Sequence, residues 1–482
     1  MAVSHQLKLP RLELTELANE GDANARRITV EYGDETASYF VQPVVDAEGF
    51  LTRPNSFRPA HSQYPLFPAV TDNNGVIWPE ATIYQLDLLE LDYGPKMSTY
   101  SDRSADLSHF RRFLDAEGIN WLHFPADKRL RPTYRYRAYL RTFALTGELS
   151  AEYLNRRIRA AVGLYRHAID KWHMKLENPP WIDRDVTVFF STTEGQQFSK
   201  VLRTTDQPIT QNRADNPFED FIQDGGKLVP LSREAQKALL KVVKRLKNIE
   251  LSLICRLAMF AGPRIQTILT LRKGQFSLAP SKIRGPAVLL KCGPGTGTDT
   301  KNNKQALLAV PKWLYADIFT YLQSERYVHR ARKNPNGDCD SQFVFLSHKG
   351  NCQYDTQEDI VGGRLRQDVK SAKTGQGIRG LIRARVIPEM RTLLGEPEFD
   401  FQFHDLRATF GINFLDFYQP LIDSGKRKRH QVMYRLSKFL WHKSPEITER
   451  YVEYRGRHNE AREANDEYFA YLQKLASEAM AA

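Results

Sequence analysis

A chain of 482 residues with 41% hydrophobic and 11% aromatic content can bury two to four domain cores, which excludes a disordered or collagen-like protein. Its 69 Lys and Arg against 57 Asp and Glu give a net charge of +12. The four cysteines, Cys255, Cys292, Cys339 and Cys352, form no CxxC pair, so neither a zinc module nor a disulfide framework is signalled.

The best apolar run, Leu251 to Pro263, is interrupted by Arg256 and falls short of the roughly 18 residues of a membrane span. With no signal-peptide pattern at the N-terminus, the expectation is a cytoplasmic, nucleoid-associated protein. The charge is unevenly placed. Residues 1–95 hold 6 basic and 14 acidic side chains, a net of −8, so the remaining 387 residues carry +20. That excess favours a polyanionic partner, nucleic acid first.

In chain order, residues 1–95 are rich in turn signals, with short β-like runs at Ile28–Tyr32 and Ser38–Val45, and are expected to be a separate acidic domain or arm. Residues 96–182 turn helical. One helix opens at Ser98-Thr99 with Tyr100, Leu107, Phe110 and Leu114 on its apolar face. A second runs over Thr133–Thr146 to Gly147, and a third over Ser150–Trp172 with Ser150 as its cap. Arg135, Arg137, Arg141, Arg156, Arg157 and Arg159 on these helices form a candidate phosphate-facing surface. Residues 183–227 are polar and mixed, as a linker would be. From Leu228 helical patterns return, interrupted by two β-like runs, Ala287–Lys291 and Gln305–Val310, that predict a hairpin with a long tip. Residues 459–482 read as a helical tail marked by Tyr468, Tyr471 and Leu472.

Three separated segments carry candidate chemistry. In Ala261-Gly262-Pro263-Arg264-Ile265, Gly and Pro end one helix and start the next, placing Arg264 in a first turn. The helix dipole disfavours a cation there unless an anion sits beside it. In Phe403-His404-Asp405-Leu406-Arg407, His404 and Arg407 share a helix face, with Leu406, Phe410 and Phe414 behind them. In Trp441-His442-Lys443-Ser444-Pro445-Glu446, Ser444 caps a helix that carries Tyr451 about two turns in, with His442 just before the cap. Each fragment alone is commonplace. The ordered set Arg, HxxR, His, Tyr is not.

This set resembles the tyrosine recombinase (phage-type integrase) family over roughly Ser98 to Tyr454. Arg264 matches its first-box arginine, His404-Asp405-Leu406-Arg407 its HxLR box, and His442 with Tyr451 its LGH…Y box. The resemblance implies a mainly α fold with a small β-hairpin or sheet: a helical core-binding domain over 96–182 and an α+β catalytic domain over 228–458 that together clamp DNA. It implies no metal and no nucleotide cofactor. It also implies double-stranded DNA with specific core sites as substrate, a homo-tetramer on DNA, and a nucleophilic Tyr451. The acidic residues 1–95 are then expected to contact protein.

The chemistry fits these residue types. A phenol attacking a phosphodiester builds charge on equatorial oxygens that two arginines can hold in bidentate fashion. A tyrosine of ordinary pKa near 10 needs a base and a positive field; His404 is the candidate base or orienting group, and His442 a hydrogen-bond donor to the phosphate. The family places a lysine on the hairpin as general acid; Lys301 is favoured here over Lys304 and then Lys291. The chain departs from the family pattern at Thr267, Ala408 and Trp441, where an acid, a histidine and a glycine are usual. The long separation of Arg264 and Arg407 implies an insertion around Arg364–Phe399, bearing Arg379, Arg383, Arg385 and Arg391. A second insertion carries Lys426, Arg427, Lys428 and Arg429, candidate DNA-backbone contacts. The expected activity is site-specific recombination for a mobile element. A type IB-like topoisomerase, a telomere resolvase and a non-catalytic DNA-binding regulator stand as alternatives.

Overall fold

The computed structural model describes residues 7–32, 35–44, 63–90, 97–191, 197–210, 221–356, 373–457 and 471. They fall into two compact units, residues up to 210 and residues from 221. Both are helical with small antiparallel sheets, the fold class expected from the sequence. No helix among the described residues is long and apolar enough to cross a membrane.

The first unit opens with Leu7–Glu13 paired antiparallel to Gln63–Ala69, and a three-stranded sheet in which Glu35–Pro43 lies between Thr15–Leu17 and Arg26–Tyr32. Helices Pro79–Glu90, Met97–Ala116, Pro132–Leu145 and Ala151–Asp170 follow. Their spacing explains their packing: Tyr100, Leu107, Phe110 and Leu114 are all buried, as a 3.6-residue period demands. Ser150 caps the last helix by accepting a hydrogen bond from the Tyr153 amide at 3.3 Å. Val70, Trp78, Ala81 and Tyr84 share one aromatic core with Phe110, Trp121, Tyr136 and Tyr165, so residues 63–90 pack with the helices that follow them. Ser104 Oγ adds a hydrogen bond to the Ala69 carbonyl at 2.9 Å.

Residues 183–227 hold more regular structure than their polar composition suggests. Asp183–Ser191 and Gln197–Thr205 form an antiparallel hairpin, and Ile222–Gln223 pairs with Lys227–Leu228 as a much smaller one.

The second unit is built around Ile249–Ala261, a helix buried over most of its surface through Leu251, Leu253, Ile254, Leu257, Ala258 and Ala261, with Ser252 and Arg256 on its one partly open face. Around it lie helices Arg233–Arg245, Ile265–Thr270, Lys312–Leu322 and Glu325–Arg332, and the hairpin Ala287–Cys292 with Ala306–Pro311. Helix Gln376–Leu381 runs through a π-helical turn, Ile382–Val386, into Ile387–Leu394. Helices Asp405–Asp423, Arg429–Leu440 and residues 445–457 complete the unit. Gly262 ends the central helix at φ +72, a left-handed conformation; a Cβ there would also sit 2.7 Å from Phe410 and 3.0 Å from Leu440. Glycine is required at this position twice over, and the chain leaving it delivers Arg264 to the site. Apart from residue 471, the expected tail over 459–482 lies outside the described residues, as does Arg364 at the start of the first expected insertion.

Candidate active site

Arg264 stands just before its helix, not in the first turn. The left-handed Gly262 followed by Pro263 leaves Arg264 extended at φ −74 and ψ 154, and the helix begins at Ile265. Ile265, Ile268 and Leu269 are buried behind it, so the backbone is fixed while the guanidinium points out of the core. An anion does sit beside it: Arg264 Nη2 donates to Asp224 Oδ1 at 3.1 Å. Burial, and then the neighbouring Arg407 charge, bring Arg264 down to about 10, where it is still cationic at neutral pH.

Arg407 is 1% exposed, and three acceptors fix its fork. Nε donates to Asp224 Oδ2 at 2.9 Å, Nη1 to the Gly262 carbonyl at 2.7 Å, and Nη2 to the Leu440 carbonyl. Lysine could not satisfy that planar set. One turn earlier, His404 caps the helix and accepts the Arg407 amide at its carbonyl. Burial first, and then the Arg407 charge, lower His404 to about 4, so the ring is neutral and can accept a proton. His404 also lines a cleft of about 530 Å³ together with Gly225, Gly226, Arg379 and Arg383.

His442 and Tyr451 converge on the same anion from a third segment. His442 Nδ1 lies 2.8 Å from Thr448 Oγ1, which orients the ring. Its Nε2 is buried and faces Asp224 Oδ2 at 3.4 Å, a long contact. Tyr451 is fully buried and its hydroxyl donates to Asp224 Oδ2 at 3.0 Å. Burial, and then the Asp224 carboxylate, push its phenol well above the ordinary value of 10. The helix over 445–457 carries it at the expected depth.

Asp224 is the residue that sequence reasoning missed. Burial alone would raise its carboxyl. The donor edge of His442 and the charges of Arg407 and Arg264 outweigh that and hold it well below the usual carboxylate range. It is therefore an anion, 3% exposed, at the focus of four side chains. A single aspartate in a polar stretch has no periodicity or spacing to announce it; the Asp224-Gly225-Gly226 turn was the available sign.

Of the three lysines, Lys301 is nearest the focus. A Cβ at Gly225 would come 3.1 Å from Lys301 Nζ, and burial followed by the Arg264 charge lowers the Lys301 pKa. Lys304 Nζ instead donates to the Trp441 and His442 carbonyls, both at 3.3 Å, and Lys291 is exposed on the first strand of the hairpin. Trp441 occupies a left-handed position at φ +53 and ties the segment to the hairpin by donating Nε1–H to the Leu307 carbonyl at 3.1 Å. Thr267 is buried with its hydroxyl unpartnered, and Ala408 is buried.

The other basic candidates divide. Lys426, Arg427 and Lys428 are exposed between two helices, and Arg429, also exposed, begins the second of them. Arg141 and Arg159 are exposed, and the Arg159 Nε donates only to its own helix, at the Asn155 carbonyl. Arg135 donates to Glu117 at 2.6 Å, Arg137 to the Gln207 carbonyl at 2.9 Å, and Arg156 to Asp106 at 3.0 Å. Arg157 is engaged with Tyr153 and His109. Among the described residues no His, Cys, Asp and Glu cluster is arranged to hold a metal.

No protein-family model matches the chain, and no curated protein matches it. Several solved structures resemble it in fold, among them the following. The XerH site-specific recombinase bound to a palindromic difH substrate, a post-cleavage complex, has TM-score 0.43 and 16% identity over 82% of this chain and 89% of that one. The Tn1549 transposon integrase in complex with transposon right end DNA has TM-score 0.43 and 11% identity over 77% and 94%. A lambda integrase(75–356) dimer bound to a COC′ core site has TM-score 0.41 and 12% identity over 79% and 96%. These are likenesses of arrangement alone, and the reading of this chain rests on its own side chains.

Proposed function

We propose that this protein cleaves and rejoins DNA strands through a covalent 3′-phosphotyrosyl intermediate at Tyr451, as a site-specific recombinase acting for a mobile element. One observation carries the reading: Arg264, Arg407, His442 and Tyr451, from three distant segments, converge on a single buried anion. A cluster of two guanidiniums and an imidazole around a hydroxyl nucleophile suits a phosphodiester.

In this reading the scissile phosphate occupies the anion position. Arg264 and Arg407 hold its non-bridging oxygens, and their charge counters what builds up as the tyrosine oxygen bonds to phosphorus; preorganised donors of this kind are worth several kcal/mol. Neutral His404 takes or orients the phenolic proton, and His442 Nε2 donates to the phosphate. The bond to the 5′ oxygen breaks, and Lys301 supplies the proton that the leaving oxygen needs. Attack by a free 5′-hydroxyl reverses these steps, so no nucleotide is consumed. Exchange between two duplexes calls for a tetramer, with Lys426–Arg429 and the exposed arginines of the first unit on the DNA backbone and residues 1–95 toward protein.

The test is to trap covalent protein–DNA complexes from cells expressing the full chain by rapid denaturation, then to sequence the attached DNA. Recurrent DNA junctions attached to the unmodified protein and absent with Tyr451→Phe support the reading. Adducts that survive Tyr451→Phe overturn the nucleophile, and their absence from the unmodified protein favours a binding-only regulator.

A further inference from the structure

Asp224 occupies the place where the proposed chemistry needs a phosphate. Its two oxygens take Arg264 Nη2 at 3.1 Å, Arg407 Nε at 2.9 Å and the Tyr451 hydroxyl at 3.0 Å, with His442 Nε2 at 3.4 Å. The nucleophile is thereby held as a neutral donor to a carboxylate, and the positive field is already neutralised. A phosphodiester and this carboxylate cannot share one set of donors, because both are anions.

The element that delivers Asp224 is built to move locally. It is the tip of a hairpin with two residues in each strand, Ile222–Gln223 and Lys227–Leu228. Ile222 and Leu228 are anchored in the core with Ala408, Leu436 and Tyr451, while the Val229 and Leu231 amides donate to the side-chain oxygens of Asp405 and Thr409. Between the anchors come Asp224, Gly225 and Gly226. Gly225 is at φ +73, and the Asp224 amide donates to the Gly226 carbonyl at 3.1 Å. Two glycines let the tip change backbone conformation at little steric cost while its base stays packed.

We propose that Asp224 is an internal phosphate mimic: a carboxylate plug that closes the site in the absence of DNA and must leave the donor set before a scissile phosphate can enter. The inference deepens the strand-cleavage reading and depends on it for its purpose, although not for its anion chemistry. The plug keeps two buried like charges compensated and keeps Tyr451 from attacking stray phosphates. The swap is an exchange of one anion for another, so it needs no other cofactor and leaves the arginine positions unchanged.

The experiment uses the full chain with inorganic phosphate as probe, read as phosphate-dependent thermal stabilisation at constant ionic strength. The Asp224→Ala protein is expected to bind phosphate at least about tenfold more tightly than the unmodified protein. Asp224→Asn, which keeps the volume and loses the charge, should fall between them and serves if the alanine variant does not fold. Phosphate should inhibit formation of the Tyr451–DNA adduct in Asp224→Ala more strongly than in the unmodified chain. Equal phosphate affinity in all three proteins overturns the plug. So does unchanged affinity with slower adduct formation, which would make Asp224 a positioning residue retained during the reaction. Tighter phosphate binding with no adduct in any variant sustains the plug and sinks the strand-cleavage reading, whereas adducts from the unmodified protein with no phosphate effect do the reverse.

Discussion

Gly411→Ala should disable the nucleophile from a position that carries no chemistry. Gly411 lies in the Asp405–Asp423 helix, one turn beyond Arg407, with the Tyr451 ring packed on its Cα. An added Cβ would stand 2.5 Å from Tyr451 Cε1 and 2.6 Å from Cδ1, with Leu440 Cδ1 at 3.4 Å on the other side. Ordinary contact begins near 3.4 Å, so the ring or the helix must give by roughly 0.9 Å, the difference between that contact and the shorter of these distances. Alanine gains about 1 kcal/mol in helix propensity over glycine. Overpacking a buried site costs about 1–3 kcal/mol, so a net loss of about 1 kcal/mol is expected. The larger effect is on geometry, because a misplacement near 1 Å can cost about 100-fold in rate. Urea unfolding and the rate of Tyr451–DNA adduct formation measure the two separately. A more stable protein with an unchanged adduct rate would refute the packing of Tyr451 on Gly411.

Three further outcomes follow from the site. Arg407→Lys should abolish adduct formation and lower stability by about 3 kcal/mol or more in urea, because a lysine leaves buried acceptors around Asp224, Gly262 and Leu440 unsatisfied; near-native stability would contradict this. His404 is lowered from 6.5 to about 4 on folding, so between those values the unfolded chain binds the extra proton and the folded chain does not. This contribution to stability is present above about pH 6.5 and is lost as pH falls toward 4, a sloping region that His404→Gln should flatten in pH-dependent unfolding. Lys301→Ala should slow cleavage of ordinary DNA and be rescued by a 5′-bridging sulfur, a leaving group that needs no proton. Lys304→Ala, whose amine holds the Trp441 and His442 carbonyls, should show no such rescue; rescue of Lys304→Ala would exchange their roles.

What was legible in the sequence was local or periodic. Ser150 as a cap, the apolar face of Met97–Ala116, and the Ala287–Cys292 and Ala306–Pro311 hairpin are each written within a few residues by hydrogen-bonding needs or by period. Arg264, Arg407, His442 and Tyr451 were legible as an ordered pattern, and the structure gathers them around one point. The position of Arg264 was off by one residue, because the left-handed Gly262 and Pro263 together hold residue 264 extended before helix can begin. The Asp183–Ser191 and Gln197–Thr205 hairpin went unread under a polar composition, although an alternating Asp185-Val186-Thr187-Val188 run was there to be counted. Asp224 was marked only by its Asp-Gly-Gly turn, which does not tell its role: that comes from contacts with residues 40, 183, 218 and 227 positions away. The core shared by Trp78 and Tyr84 with the later helices is likewise long-range, which is why the change in composition near Pro95 is not a packing boundary for residues 63–90. A deletion meant to separate the acidic segment should therefore end before residue 63.

The central claim is a covalent bond between one side chain and one DNA end. Adducts formed by the full chain should be digested with protease and nuclease and their peptide–nucleotide remnants sequenced by mass spectrometry. The account predicts a nucleotide joined through its 3′-phosphate to Tyr451 in the peptide around Glu449-Arg450-Tyr451-Val452. A 5′-phosphate linkage, or attachment to any other residue, would contradict it.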